Sequence, residues 1–225
     1  MLRRLRDLHG WTVESCDDRV VGHVDDFYLD DRRWLVRFIV VKTTAWFTQR
    51  KVLIPAAEIE GIDWDGARIV TGMTRENVRK AAANPGWIDA PTLEGSSRLH
   101  SVRGTHGCHM QALDGGIGRI EDLLADDDHW TIQYLAVDAS QWGGGSVLVP
   151  SKWTRRIDCQ TGMVRVDLGR EDLKGSLANA ALPSREHLAY VETERRLVDR
   201  SGDFDWQNRV GATLPEQWVD GLQEE

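Results

Sequence analysis

Short runs of apolar, β-branched residues separated by polar turns dominate most of the chain. Residues 34–41 are apolar except for Arg37, which predicts a central strand that begins at Trp34 and is buried on both faces over much of its length. Residues 51–55 predict a second strand, and Pro55 stands at its end, where the missing amide is tolerated. Residues 74–77 resemble a helix-capping sequence and predict a short helical turn. The pattern predicts a mainly β fold with a few short helical turns.

The same order of elements occurs twice along the chain. Glycine, aspartate and tryptophan match across an offset of 96 residues in the pairs Gly22/Gly118, Asp26/Asp122 and Trp34/Trp130. One residue is then lost, and residues 52–55 align with residues 147–150. Identical residues occupy about ten of roughly thirty aligned positions, where chance would give about two. We interpret this similarity as the duplication of a small domain.

Five or six short strands joined by tight turns, within roughly 75 residues, are typical of a small closed barrel. We therefore predict a first barrel over residues 1–83 and a second over residues 98–178. Residues 84–97 are rich in proline, glycine and serine and predict a linker. Residues 179–225 predict a helix, capped at its start by Ser184, and an acidic tail.

The ordered elements resemble the PRC-barrel family, whose sequences combine a Gly-x-Val-x-Asp element, an acidic turn, an apolar strand, an apolar-Pro element and a closing Ser/Thr-x-Glu segment. The matching segments here are residues 22–26, 30–31, 35–41, 53–55 and 74–76, and each has a counterpart in the second copy. The resemblance implies a tandem pair of PRC-type β-barrels. It also implies a docking role, as in the cytoplasmic domain of the reaction-centre H subunit and the carboxy-terminal domain of a ribosome maturation factor. The family has no established catalytic residues.

The charge distribution disfavours several classes of function. The formal net charge is −8, and residues 184–225 hold 5 basic and 10 acidic side chains. Because nucleic-acid binding draws on a basic face, such binding is not expected. No apolar stretch approaches the ~18 residues of a membrane span, and no apolar centre follows the basic amino terminus. We expect a cytoplasmic protein whose three cysteines are reduced thiols.

Repeated aspartates occupy the predicted turns between strands. Pairs or triplets occur at residues 25–26, 30–31 and 126–128. Clustered carboxylates could hold a hard cation, but the spacing is not that of a calcium loop, and turns favour aspartate for local hydrogen bonds. Asp26 and Asp122 recur just after the matched glycines, which suggests a hydrogen bond inside each barrel.

The densest group of metal-capable side chains is His106, Cys108 and His109, with His100 nearby. The spacing is not a standard zinc motif, and a further ligand would have to come from the first copy, from Cys16 or His23. On a strand, His106 and Cys108 would share one face. No nucleophile elbow or phosphate-binding loop is present. We expect no enzymatic activity and no cofactor. His106, Cys108 and His109 are weak candidates for metal ligands.

Tryptophan is the residue type best suited to a contact role, and the chain has ten. Trp46 and Trp142 lie in matching loops, while Trp206 and Trp218 lie in the acidic tail. Indole side chains are enriched at the centres of protein interfaces, although these rings could equally fold back onto their own barrels.

The leading hypothesis is a non-catalytic cytoplasmic adaptor or assembly module that binds protein partners, a second copy of the chain among them. One alternative is a metal- or small-ligand-binding protein with a site at the seam between the barrels. A third hypothesis is a ribosome- or RNA-associated factor.

Overall fold

The computed structural model describes residues 1–43, 51–83, 99–140, 145–158 and 161–170. The fold is mainly β, as the sequence predicts, with two sheets and few helices. The chain begins with strand β1 (Leu2–Arg4) and the 3-10 helix Leu5–Leu8. None of the helices in these ranges is both long enough and apolar enough to cross a lipid bilayer.

The first sheet has the strand order β5-β4-β3-β2-β7-β6. Its strands are β2 (Thr12–Ser15), β3 (Val20–Asp30), β4 (Leu35–Thr43), β5 (Lys51–Pro55), β6 (Ile59–Asp63) and β7 (Arg68–Thr71). Neighbours are antiparallel except for the parallel pair β2–β7. The 3-10 helix Ala56–Glu58 joins the two end strands of this order, and the α-helix Arg75–Ala83 follows β7.

The second sheet has the equivalent order β12-β11-β10-β9-β14-β13. Its strands, which follow the short strand β8 (Leu99–Ser101), are β9 (His109–Ala112), β10 (Gly115–Asp126), β11 (Ile132–Asp138), β12 (Ser146–Pro150), β13 (Thr154–Asp158) and β14 (Met163–Val166). The pair β9–β14 is parallel, at the position that β2–β7 occupies in the first sheet. The α-helix Val102–Thr105 separates β8 from β9, and the 3-10 helix Ser151–Trp153 separates β12 from β13.

Each sheet also includes one short strand from the other half of the chain, outside the strand order given above. Strand β1, at the start of the chain, pairs with β10 of the second sheet, with Leu2 opposite Asp126. Strand β8, at the start of the second half, pairs with β3 of the first sheet, with Leu99 opposite Asp30. The sequence pattern does not predict this exchange. We call residues 2–8 the first exchange segment and residues 99–105 the second exchange segment.

Each exchange segment crosses between the halves just before a glycine with positive φ. Gly10 has φ +81 and Gly107 has φ +78, a conformation that residues with a side chain rarely adopt. Beyond Gly10 the chain returns to its own sheet, because the Gly10 amide donates to Val24 of β3. The Gly107 amide makes the equivalent bond to Ile120 of β10.

A second reciprocal contact joins the halves at Trp34 and Trp130. Both residues adopt positive φ, 51° and 57°, and both are buried. The carbonyl of Trp34 accepts from the Ile132 amide, and that of Trp130 accepts from the Val36 amide. Trp34 was predicted to open a strand. The strand instead begins at Leu35, because the left-handed turn at Trp34 aims its carbonyl at the other half.

One apolar core is shared by both halves. It contains side chains from both sheets and from both exchange segments, including Leu5, Leu8 and Val102, all at most 5% exposed. The strand predicted at residues 51–55 has the predicted bounds. The helical turn predicted at residues 74–77 is a longer helix, Arg75–Ala83, and Thr74 accepts from the Asn77 amide at its start. The predicted linker and the predicted carboxy-terminal helix and tail lie outside the described residues.

Candidate functional site

The four tryptophans predicted as contact residues lie outside the described residues, and their role stays a prediction. They are Trp46, Trp142, Trp206 and Trp218. The site that the structure does describe is the pair of junctions at which each exchange segment enters the opposite half. These junctions gather most of the buried polar side chains that sequence analysis singled out.

The histidine and cysteine group does not form the arrangement that was predicted. His106 ends the helix Val102–Thr105 and Gly107 turns the chain, so His106 and Cys108 do not share a strand face. His106 and His109 are exposed, whereas Cys108 is buried and its thiol lies 3.5 Å from the carbonyl of Gly104. The structure gives these residues no common centre that favours the metal-binding alternative.

Within the described ranges, only Asp126, Asp127 and Asp128 bring three candidate metal-ligand atoms within 4.8 Å of one another. These carboxylates already have partners. Asp126 accepts from the Asp128 amide at 2.9 Å, as predicted for an acidic turn, and Asp127 bonds Arg3 and the Met1 amine. The cluster is therefore part of the junction with the first exchange segment.

Asp26 and Asp122 fasten the exchange segments to the opposite halves. Asp26 Oδ1 accepts from the backbone amide of Arg103 at 3.0 Å, and Asp122 Oδ1 accepts from that of Arg6 at 3.3 Å. The recurrence of these aspartates suggested a bond inside each barrel. Each carboxylate does accept a bond within its own half, from the amide of Phe27 or Leu123. It also accepts the bond between the halves, whose donor belongs to the segment that has crossed over.

A side-chain contact closes each junction at the aspartate five residues beyond Asp26 or Asp122. Arg3 Nε lies 3.3 Å from Asp127 Oδ2, and in the other junction His100 Nε2 lies 3.0 Å from Asp31 Oδ2. His100 and Asp31 are 7% and 8% exposed, and the Ile157 amide also donates to Asp31. The junctions thus use the same aspartate position with different partners, arginine in one and histidine in the other.

Each exchange segment also completes an apolar cluster that is separate from the shared core. Leu99 joins Tyr28, Phe38, Val40 and Leu53 in the first sheet. In the second sheet, Leu2 takes the same place and packs against a cluster at the equivalent positions, formed by Leu124, Ala136 and Leu148 with Tyr134. The segments therefore contribute apolar contacts on two sides, as well as backbone and charged contacts.

Asp122, unlike Asp26, has one carboxylate oxygen that lacks a hydrogen-bond partner among the described residues. Asp26 Oδ2 accepts from the Ser101 hydroxyl at 2.5 Å, but Arg4 stands where the other junction has Ser101, and within the described residues Asp122 Oδ2 has no hydrogen-bond partner. Desolvation raises the pKa of Asp122 above its ordinary value, because it outweighs the amides of Leu123 and Arg6 that bond the carboxylate and the charges nearby. The charged form of Asp122 therefore destabilises the folded state.

We expect Asp122→Asn to be more stable than the wild type at pH 7. The gain should be on the order of 1 kcal/mol, because the amide is neutral and its burial costs less than the burial of a charged carboxylate. A raised folded-state pKa gives stability below the unfolded-state pKa that is lost as pH rises through the folded-state value. The advantage of the amide should therefore shrink as pH falls towards 4, which urea denaturation at pH 7 and pH 4.5 would measure.

The matched control is Asp26→Asn, which replaces the oxygen that accepts from Ser101 with an amide group that cannot accept. This variant should lose stability at pH 7. Equal effects of the two substitutions would contradict the difference that the structure shows between the junctions.

Sequence reasoning missed the exchange segments, although a signal for them exists. Leu2, Arg6, His9 and Gly10 match Leu99, Arg103, His106 and Gly107 at an offset of 97 residues. The alignment that revealed the internal similarity began at Gly22, after this region. Even when aligned, the segments would predict two equivalent elements and not the sheet to which each one pairs.

Comparison with known proteins supports the family that the motifs indicate. The family model described as PRC-barrel domain matches residues 2–73, a span that includes the first exchange segment and strands β1 to β7. No curated protein matches the sequence. The match and the first sheet agree with the resemblance of the ordered motifs, and the chain therefore contains a PRC-barrel domain at residues 2–73.

Proposed function

We propose that this chain is a non-catalytic cytoplasmic adaptor or assembly module that binds protein partners through two PRC-type halves. The observation that carries the proposal is the equivalent position of the two strand pairs that flank Trp46 and Trp142 in sequence. Lys42 pairs with Lys51 at the base of the loop that contains Trp46. Asp138 pairs with Ser146 at the base of the loop that contains Trp142.

The shared core supports the proposal that the chain presents two tryptophans to a protein partner. Because both sheets contribute to one core, the bases of the two loops belong to one packed unit and not to independently moving domains. Two copies of one contact residue on a common support suit a partner with two equivalent sites. Such binding gains affinity from multivalency, because the second contact forms within an existing complex.

The test replaces the two loop tryptophans together. We expect Trp46→Ala/Trp142→Ala to weaken partner binding, or the self-association of chains that have not been unfolded and refolded, at least tenfold, since buried indoles dominate many interfaces. Native mass spectrometry and analytical ultracentrifugation would measure the association, and circular dichroism would check the fold.

The matched control is Thr48→Ala/Gln141→Ala, which alters polar residues close to the same tryptophans in sequence. This control should associate as the wild type does. Unchanged association of the tryptophan variant, with its fold intact, would overturn the role of these loops.

A further inference from the structure

We propose that the surface between the two halves is also a binding surface for a second copy of this chain. In the resulting dimer, the first half of each chain pairs with the second half of the other. This surface is distinct from the tryptophan-bearing loops, so the inference does not depend on the function proposed above.

The first exchange segment makes the contacts of a docked element. Strand β1 pairs with β10, the 3-10 helix Leu5–Leu8 packs against β10, and the Arg6 amide donates to Asp122. Arg3 bonds Asp127 across the same junction, while its guanidinium stacks 3.8 Å from the ring centre of Trp64 in the first half. The segment is thus held in the opposite half by strand pairing, by packing in the core, by the hydrogen bond to Asp122 and by the ion pair with Asp127.

The second exchange segment makes the reciprocal set of contacts in the first half. It pairs with β3, the Arg103 amide donates to Asp26, and His100 bonds Asp31. Each half therefore offers one segment and one receiving strand. Every contact of the interface is satisfied equally well when the two halves come from one chain and when they come from two.

The choice between these two arrangements depends on the connection between the halves. The helix Arg75–Ala83 ends the first half and β8 begins at Leu99, so 15 residues (84–98) join them. A short connection gives the halves an effective concentration of roughly 1 mM for each other. Exchange between chains should therefore compete as the protein concentration approaches that value, which is the usual basis of domain swapping.

Two charge-reversed variants test the proposal. Within one chain, Arg3→Asp places a second negative charge beside Asp127. Asp127→Arg places a second positive charge beside Arg3. When the two full-length variants are unfolded and refolded together, the exchanged dimer brings the two substituted side chains together in one junction. The other junction then holds the unchanged Arg3 and Asp127, so both junctions regain an ion pair.

We expect most of the mixture to form a 1:1 species of twice the 25.5 kDa chain mass. Each variant refolded alone should give less than a tenth of such a species.

The control is the double variant Arg3→Asp/Asp127→Arg, which restores the pair within one chain and should stay mainly monomeric. A mixture that remains monomeric while the double variant regains wild-type stability would overturn the proposal. Isotope-labelled and unlabelled wild-type chains refolded together near 1 mM provide a measurement that does not depend on the ion pair. Mixed dimers should form, also in the Trp46→Ala/Trp142→Ala background, and their absence would overturn the proposal as well.

Discussion

Gly22→Ala and Gly118→Ala should each destabilise the protein by ~2–4 kcal/mol, the range expected when an added group meets fixed backbone. A Cβ atom at Gly22 would lie closer than 3.0 Å to the carbonyl of Lys42, and one at Gly118 would lie as close to the carbonyl of Asp138. Neither carbonyl can turn away without disturbing the end of its strand. Urea denaturation should show the midpoint shifted to lower concentration at an unchanged slope.

Gly61→Ala is the matched control, because Gly61 also lies in a strand but has no atom within 4 Å of the added Cβ. Its effect should stay within about 0.5 kcal/mol, as for surface substitutions in general. If Gly22→Ala and Gly61→Ala unfolded at the same urea concentration, the close approach of β3 and β4 would be wrong.

The same two glycines show what the sequence could predict. Gly22 and Gly118 occupy equivalent positions, and their recurrence is enough to identify the duplicated pattern. Apolar runs predicted β4 to within two residues and β5 with its bounds, because strand formation depends on local patterning and on the turns that flank it. The physical reason for glycine, a close approach between β3 and β4, required the register of the pair.

The candidate site was harder to predict from the sequence than the strands, because its contacts join residues far apart in the chain. Asp26 and Arg103 are 77 residues apart, and Asp122 and Arg6 are 116 apart. A recurring aspartate indicates a structural bond, but pattern alone does not identify the donor. The same argument applies to His100. It was grouped with neighbours in sequence as a possible metal ligand, whereas its partner is Asp31 in the other half.

Leu5→Ala should destabilise the whole described fold by ~3 kcal/mol, within the range for a buried leucine truncated to alanine. Leu5 is 1% exposed and belongs to the shared core, although it precedes every strand of the first sheet. Because that core spans both halves, unfolding should remain a single transition, and hydrogen exchange should accelerate in both sheets. Val20→Ala is the control, since Val20 is 44% exposed and its truncation should change stability little.

Independent barrels would respond to Leu5→Ala differently. A first half that folded by itself would lose protection in β2 to β7 alone, and unfolding would separate into two transitions. That outcome would show that the exchange segments are attached to two domains that fold independently. Faster exchange in β10 and β11, which lie more than 100 residues from the substitution, would instead follow directly from the packing of Leu5 and Leu8 against the second sheet. The test therefore distinguishes an interlocked pair from two linked barrels without removing any part of the chain.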